Sequence, residues 1–526
     1  MTVFSSTVHC IPNLQAVGNT TALPLLDLVV IIFYMLLSIA IGCRFYFKSR
    51  SADSFTNGGQ SIPSLIIGLS IFGTYVSSIS FLANPGSSFV GNWNAWVAAL
   101  TVLPCTWIAA RWFIPFYRSC GSVSAYEHLE SRFGVWARVY GTVCYMLTQL
   151  ARVGSVLFLL AIPLHHLFGW NIIAIIVLVG LATTVYSMLG GIAGVIWTDA
   201  VQSAVLIIGA TVCAIVLPLS MPEGPGQLFQ IAWDNNKFSL GGMNLDFTSR
   251  TFWVVFFYGT VINLQNFGID QNYVQRYMTA KSESAAKRSL WFGSLLYMPV
   301  CAFFFFIGTA LYAFYQARPD LITDPNLLEQ IASGNGDGVF PYFIVHQLPP
   351  GLTGLLIAAI VAAAMSTVST SLNGAATLTL TDFYTRFYRP KASDREQMRV
   401  LRIASFLWGL FGIGCALAMI HAKGILDAYW VLAGIFSGGI VGVFLLGIFT
   451  RVANSRGALA GMVAGVLVIL WMTASSFNMI PSALSDWKCP LHNYMIIVVG
   501  TITVVLVGMI VSLLMPGPRT RKNRPQ

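Results

Sequence analysis

Gly68-Leu69-Ser70-Ile71-Phe72-Gly73-Thr74-Tyr75-Val76-Ser77-Ser78-Ile79-Ser80, followed by Asn84-Pro85-Gly86, is apolar enough to enter a membrane. It is also too rich in glycine and serine to cross as one uninterrupted helix. In lipid every backbone N–H and C=O needs an internal partner, so a break is tolerated only where it is buried in protein or lines a cavity. A second such stretch is Gly259-Thr260-Val261-Ile262-Asn263-Leu264-Gln265-Asn266-Phe267-Gly268, five spans further on. An odd offset reverses direction, so a five-span repeat has to be inverted. The pattern predicts an all-α integral membrane protein of about thirteen transmembrane helices, with an inverted five-plus-five core and two broken helices.

Composition agrees. The 526 residues are 56% hydrophobic and 9% charged, with a mean hydropathy of +0.73, against about 25% charged residues in soluble domains. Apolar stretches long enough to span lie near 24–44, 62–90, 93–117, 138–165, 170–189, 192–218, 251–276, 286–315, 350–385, 401–422, 427–449, 457–476 and 493–515. They divide the chain into an extracellular segment 1–23, a peripheral first span 24–45 and a ten-span core 62–449. Two peripheral spans, 457–515, and a basic tail, 516–526, complete it.

Most of the 29 Lys and Arg residues fall on one side of these spans, including Arg276 and Arg138. By the positive-inside bias this places the amino terminus outside and the tail in the cytoplasm of a multi-pass cell-membrane protein. The net charge of +10 is therefore topology, not a nucleic-acid footprint. Residues 1–23 contain no Lys, Arg or compact apolar core, so no cleavable signal is expected there. Asn19-Thr20-Thr21 fits a glycosylation sequon, relevant only in a eukaryotic secretory route. Of nine scattered cysteines, Cys10 and Cys489 alone are both placed outside, the one pair open to a disulfide. External segments 219–250 and 316–349 are long enough to act as partial lids. No segment is large enough for a separate enzymatic domain.

Asp199 lies within the span Gly190-Gly191-Ile192-Ala193-Gly194-Val195-Ile196-Trp197-Thr198-Asp199-Ala200-Val201-Gln202. A charge in hydrocarbon costs roughly 2.5–3.5 kcal/mol on insertion scales and by default marks an ion or proton pathway. Another apolar span carries a hydroxyl ladder, Ala363-Ala364-Met365-Ser366-Thr367-Val368-Ser369-Thr370-Ser371. Positions 363, 366 and 367 share one helix face, as do 366, 369 and 370. Neutral oxygens beside one carboxylate suit a small hard cation, which points to cation-coupled transport. Packing between helices would also use such hydroxyls.

Tyr186-Ser187-Met188-Leu189-Gly190-Gly191 leading to Trp197-Thr198-Asp199-Ala200-Val201-Gln202, then Asp270-Gln271-Asn272-Tyr273-Val274-Gln275-Arg276-Tyr277, then the ladder ending in Asn373, resembles the sodium/solute symporter family. That family includes sodium-coupled sugar, proline, sialic acid, iodide and vitamin carriers. The resemblance implies sodium as the co-transported ion, held by carbonyls of Gly73, Val76 and Ala363 and the hydroxyls of Ser366 and Thr367. It implies an additional sodium site at Asp199, Ser369 and Thr370, as in the sialic acid branch. It places Ser77, Ser80, Asn94, Asn263, Asn266, Tyr297 and Trp430 where relatives contact solute. Asn266 stands where the sugar carrier has a gating tyrosine, and Tyr297 where it has a lysine, which argues against simple transfer of hexose specificity. Arg152 matches an arginine that binds the substrate carboxylate in sialic acid carriers; a structural arginine satisfied by helix-end carbonyls is the alternative.

The expected function is thus sodium-coupled symport of a small organic solute by alternating access, with a sugar or acidic sugar such as sialic acid favoured. The partners are the solute and membrane lipid, with no nucleic acid; oligomeric state is not legible. The alternative is a proton- or sodium-coupled carrier of an amino acid, vitamin or inorganic anion on the same fold. A channel lacks a pore-ring motif, and an embedded enzyme lacks clustered His, Cys or paired carboxylates within spans.

Overall fold

The computed structural model describes residues 23–47, 49–421, 434–476 and 486–516. Cys10, the sequon, Trp430 and the tail from 517 onward lie outside the described residues. The described chain is helical, and its one β contact is an isolated bridge between Ile62 and Ala280.

By length and composition, ten described helices can cross a membrane, or eleven if the bent pair Ser64–Tyr75 and Ser80–Val90 counts as one. The expected thirteen is not reached on this measure, for two physical reasons. Ile172–Leu219 is a single 48-residue run, about 72 Å long at 1.5 Å per residue, more than twice a hydrocarbon core of about 30 Å. It turns at Gly191, whose φ of 57° and ψ of −161° belong to a region open essentially to glycine. Beside it, a methyl at Gly190 would come within 2.6 Å of the Gly42 carbonyl oxygen. The Gly-Gly pair therefore turns the chain and admits the first span. The second reason is that Gly438–Phe449 is short of a full span among the described residues.

The first span, Leu25–Arg44, is tied to the ladder helix, Leu352–Leu378, by buried Asp27. Asp27 Oδ1 accepts from the backbone N–H of Gly351 (2.6 Å) and Gly354 (2.7 Å) at that helix's start. A carboxylate there satisfies otherwise unpaired N–H groups and meets the positive end of the helix dipole. At the basic end, Arg138 is a buried strut and not a loop charge. It bonds Asp382 (2.7 Å) and Glu130 (2.9 Å), and Asp382 also accepts from Thr142 (2.6 Å) and Ser124 (2.9 Å).

The segments expected as lids fold over Ser78–Val90, the second half of the first broken span. Lys237 Nζ donates to the carbonyls of Phe89 (2.7 Å) and Gly91 (3.0 Å) and sits 3.6 Å over the Tyr312 ring. The loop Asn335-Gly336-Asp337-Gly338 presses on Gly86, where a methyl would meet Asp337 Oδ1 at 2.7 Å. Burial pushes the Asp337 carboxyl up from 3.8 to about 7. The folded chain then keeps a proton that the unfolded chain has released, so stability falls as pH rises from about 4 to about 7. Thermal unfolding in detergent should show a lower midpoint at pH 8 than at pH 5. Asp337→Asn should shrink that difference; an unchanged difference would show that another group sets it.

Candidate functional site

Two breaks meet at the centre of the fold. Ser64–Tyr75 ends at Val76, whose extended backbone (φ −92°, ψ 111°) separates it from Ser78–Val90. The two halves are bent by 54°. The Val76 N–H reaches the Phe72 carbonyl (3.1 Å), but no Ser77 N–H closes on Gly73. Among the described residues no hydrogen bond reaches the Gly73 carbonyl, a helix-end acceptor. Ser77 begins the outer half, its Oγ accepting from the Ser80 N–H at 3.2 Å. Pro85 is accommodated inside that outer half without breaking it.

The second break differs from its expected place. Phe252–Ile269 runs unbroken through Gly259–Gly268, and the interruption falls at Asp270 (φ −74°, ψ 120°) before Gln271–Thr279. Gly259 and Gly268 serve packing: methyls there would lie 2.7 Å from Ala98 Cα and 3.0 Å from the Phe113 ring. Asp270 is the cap, its Oδ1 accepting from the Asn272 N–H at 2.8 Å.

Some of the residues expected at the first ion site are in direct contact. A methyl at Gly73 would come within 2.6 Å of Ser203 Oγ and 3.4 Å of Ser366 Oγ, so the end of the first half-helix lies against the ladder. Ser366 Oγ donates to Asp199 Oδ1 (2.8 Å), and Thr367 Oγ1 donates to the Ala363 carbonyl (3.1 Å). Each hydroxyl has an acceptor for its proton and retains lone pairs for a cation. Val76, at the break, is buried with Ala363 in the same core.

The second expected ion site is not an open cage. The cation facing Asp199 is Arg276, at 2.7 Å, with both side chains fully buried. Arg276 Nη2 also donates to Thr370 Oγ1 (2.8 Å), and Ser369 Oγ donates to the Ser366 carbonyl (3.2 Å). A guanidinium satisfies a carboxylate in hydrocarbon with directed hydrogen bonds, which is why it takes this place. Sequence reasoning had counted Arg276 among loop charges. Its helical spacing from Asn272, in a segment with a polar group on every face, was the available signal.

Of the expected solute residues, Tyr297 and Asn266 converge on the first break. The Tyr297 ring is 4.4 Å from that of Tyr75, which also touches Tyr273 and Phe267, both at 5.8 Å or less between centroids. Asn266 lies beside the Tyr75 hydroxyl. Tyr75 and Tyr273 were not anticipated; as aromatics in apolar spans they carried no distinguishing signal. Two expected residues are engaged elsewhere. Asn263 donates to Ala98 O (3.2 Å) and Thr101 Oγ1 (2.8 Å), a strut between spans. Asn94 donates to Leu240 O (2.8 Å) beneath the outer lid.

Arg152 stands at the middle of Val135–Phe168. It is close enough to Asp270, Tyr273 and Tyr145 to interact electrostatically with each. Among the described residues no hydrogen bond or ion pair engages its guanidinium. The structural-arginine alternative, with helix-end carbonyls as partners, has no bond to support it.

The chain is similar to known proteins over most of its length. The family model described as the sodium:solute symporter family matches residues 55–465. The sodium/sialic acid symporter of Aliivibrio fischeri is 31% identical over 493 residues, 93% of each chain. The human sodium-coupled monocarboxylate transporter 1 is 29% identical over 89% of this chain and 76% of that protein. A solved structure of a Na+-coupled sialic acid symporter, substrate-bound and outward-open, superposes with a TM-score of 0.85 at 29% identity. It covers 94% of this chain and 98% of the other.

Proposed function

The chain belongs to the sodium:solute symporter family, and on that footing we propose that it carries a carboxylated sugar of the sialic acid class into the cell. It is a multi-pass membrane transporter and not an enzyme, and sodium is its co-transported ion. The proposed sodium ligands are the carbonyls of Gly73, Val76 and Ala363 and the hydroxyls of Ser366 and Thr367. Sodium there bridges the broken span to the ladder helix and favours the outward-facing state. Each positive charge moved inward gains roughly 2.3 kcal/mol per 100 mV. The amino terminus is placed outside and the basic tail in the cytoplasm.

The observation that carries the solute reading is Arg152, at the middle of its span beside the second break, with no hydrogen bond or ion pair to its guanidinium among the described residues. A carboxylate accepts from it in a fork. Ser77, Ser80, Asn266 and Tyr297 offer hydroxyl and amide groups for the rest of a polyhydroxylated solute, with Tyr75 and Tyr273 as apolar walls. A short monocarboxylate would satisfy Arg152 alone and leave those polar groups unused. The test is uptake into vesicles under an inward sodium gradient, with labelled sialic acid, uronates, hexoses, short monocarboxylates and proline. Saturable sialic acid uptake that collapses when choline replaces sodium is expected. Uptake of neutral hexoses or proline in preference would overturn the solute assignment.

A further inference from the structure

Gln271–Thr279 is buried along its whole length although it carries Gln271, Asn272, Gln275 and Arg276. Burial of so polar a helix is tolerable only when its groups are paired. Gln275 Nε2 donates to Thr56 O (2.7 Å), Asn373 Oδ1 (2.9 Å) and Thr377 Oγ1 (3.1 Å). Tyr145 OH donates to Asn272 Oδ1 (2.8 Å). The second half of that broken span, here termed the stopper, is therefore bonded to the surrounding helices on the basic side.

Asp199 joins that stopper to the ion site. Its Oδ1 accepts from Ser366 Oγ, a proposed sodium ligand, at 2.8 Å. Its Oδ2 accepts from Ser70 Oγ (2.7 Å) and Arg276 Nη2 (2.7 Å), and Arg276 Nε donates to Ser70 Oγ (2.8 Å). The remaining guanidinium nitrogen donates to Asn272 O within the stopper (2.6 Å). One carboxylate thus spans the distance from ion ligand to closure helix in two hydrogen bonds.

We propose that Asp199 and Arg276 are positioning residues that form a strap: sodium at Ser366 holds the inner stopper shut, and sodium release frees it. The inference rests on the first sodium site proposed above. A cation drawn to the Ser366 oxygen polarises its O–H and strengthens the bond to Asp199. Asp199 is then fixed, and with it Arg276. Without the ion that polarisation is lost, the Ser366–Asp199 bond weakens, and the carboxylate is held less firmly. Sodium thereby suppresses inward opening until solute has bound and the bundle moves, which limits uncoupled leak.

The test uses Thr377→Cys, a buried position behind the stopper that accepts from Gln275. Its maleimide labelling from the cytoplasmic face is read by mass spectrometry at that residue. Sodium without solute should slow labelling about tenfold, within the usual range of coupling between sites. Adding Arg276→Gln should leave sodium binding within about threefold while sodium slows labelling by only about threefold or less, because the share of the coupling carried by that side chain is lost. Arg276→Lys, which keeps the charge, should restore part of the protection. Sodium protection that stays near tenfold in Arg276→Gln overturns the strap, and so does loss of sodium binding in a folded Arg276→Gln protein. If Arg276→Gln does not fold, Arg276→Lys, which keeps the charge but not the fork, replaces it: sodium should slow labelling by clearly less than in the parent, and undiminished protection overturns the strap. Absence of sodium binding before either change would instead remove the ion site on which the strap rests.

Discussion

Ser366→Ala is expected to abolish sodium-stimulated uptake while the protein still inserts and folds. The substitution deletes a hydroxyl at the place where the end of the first half-helix meets the ladder, and also the donor to Asp199 Oδ1. Leaving a buried acceptor without its donor costs about 1–3 kcal/mol, and loss of an ion ligand adds to that. Half-maximal sodium concentration should therefore rise by at least about tenfold, at 1.4 kcal/mol per decade. Asp199 keeps Ser70 and Arg276, so its charge remains paired and the fold survives. Thr367→Ala should act in the same direction, since Thr367 shares the face with Ala363 and Ser366. Sodium titrations of uptake check this, and wild-type sodium dependence in Ser366→Ala would remove the proposed ion site.

The second large effect is expected at Arg152. A charge-assisted hydrogen bond contributes about 1.5–3 kcal/mol, and a forked pair to a carboxylate contributes two. Arg152→Ala should raise the KM for a carboxylated solute by about 100-fold or more, with sodium binding retained. Arg152→Lys keeps the charge but not the fork and should recover only part of the loss. Among the described residues no hydrogen bond engages the guanidinium, so its removal costs chiefly the electrostatic support it gives the buried Asp270, and the melting midpoint should fall only modestly. Unaltered uptake of every carboxylated solute by Arg152→Ala would show that the arginine does not bind solute.

Both expectations concern residues that single-chain reasoning could locate but not connect. Hydropathy alone identified the spans, because crossing hydrocarbon demands long apolar runs whatever the tertiary arrangement. Gly73, Val76 and Ser77 marked the first break, since glycine and serine weaken a helix locally. The second break was misplaced by a few residues for the complementary reason. Gly259 and Gly268 are small because Ala98 and Phe113 press against them, a requirement set by neighbours distant in sequence.

Charge was the least legible property. Arg138 and Arg276 counted as surface charges until Asp382 and Asp199 were found 2.7 Å away. A carboxylate in hydrocarbon must find a cation, and the sequence could supply the demand but not say whether sodium or arginine meets it.

What the sequence by itself determined was the membrane fold, its breaks in outline, and the oxygen-rich ladder on which a sodium ion could sit. Those follow from local chemistry: solubility in lipid, helix propensity and the periodicity of one helix. Only the tertiary structure decided that Asp199 faces Arg276, that Asn263 and Asn94 are struts, and that Arg152 lies beside Asp270 with no hydrogen bond to it among the described residues. Pairing of buried polar groups depends on which helices become neighbours, and that is fixed by the packing of the whole chain.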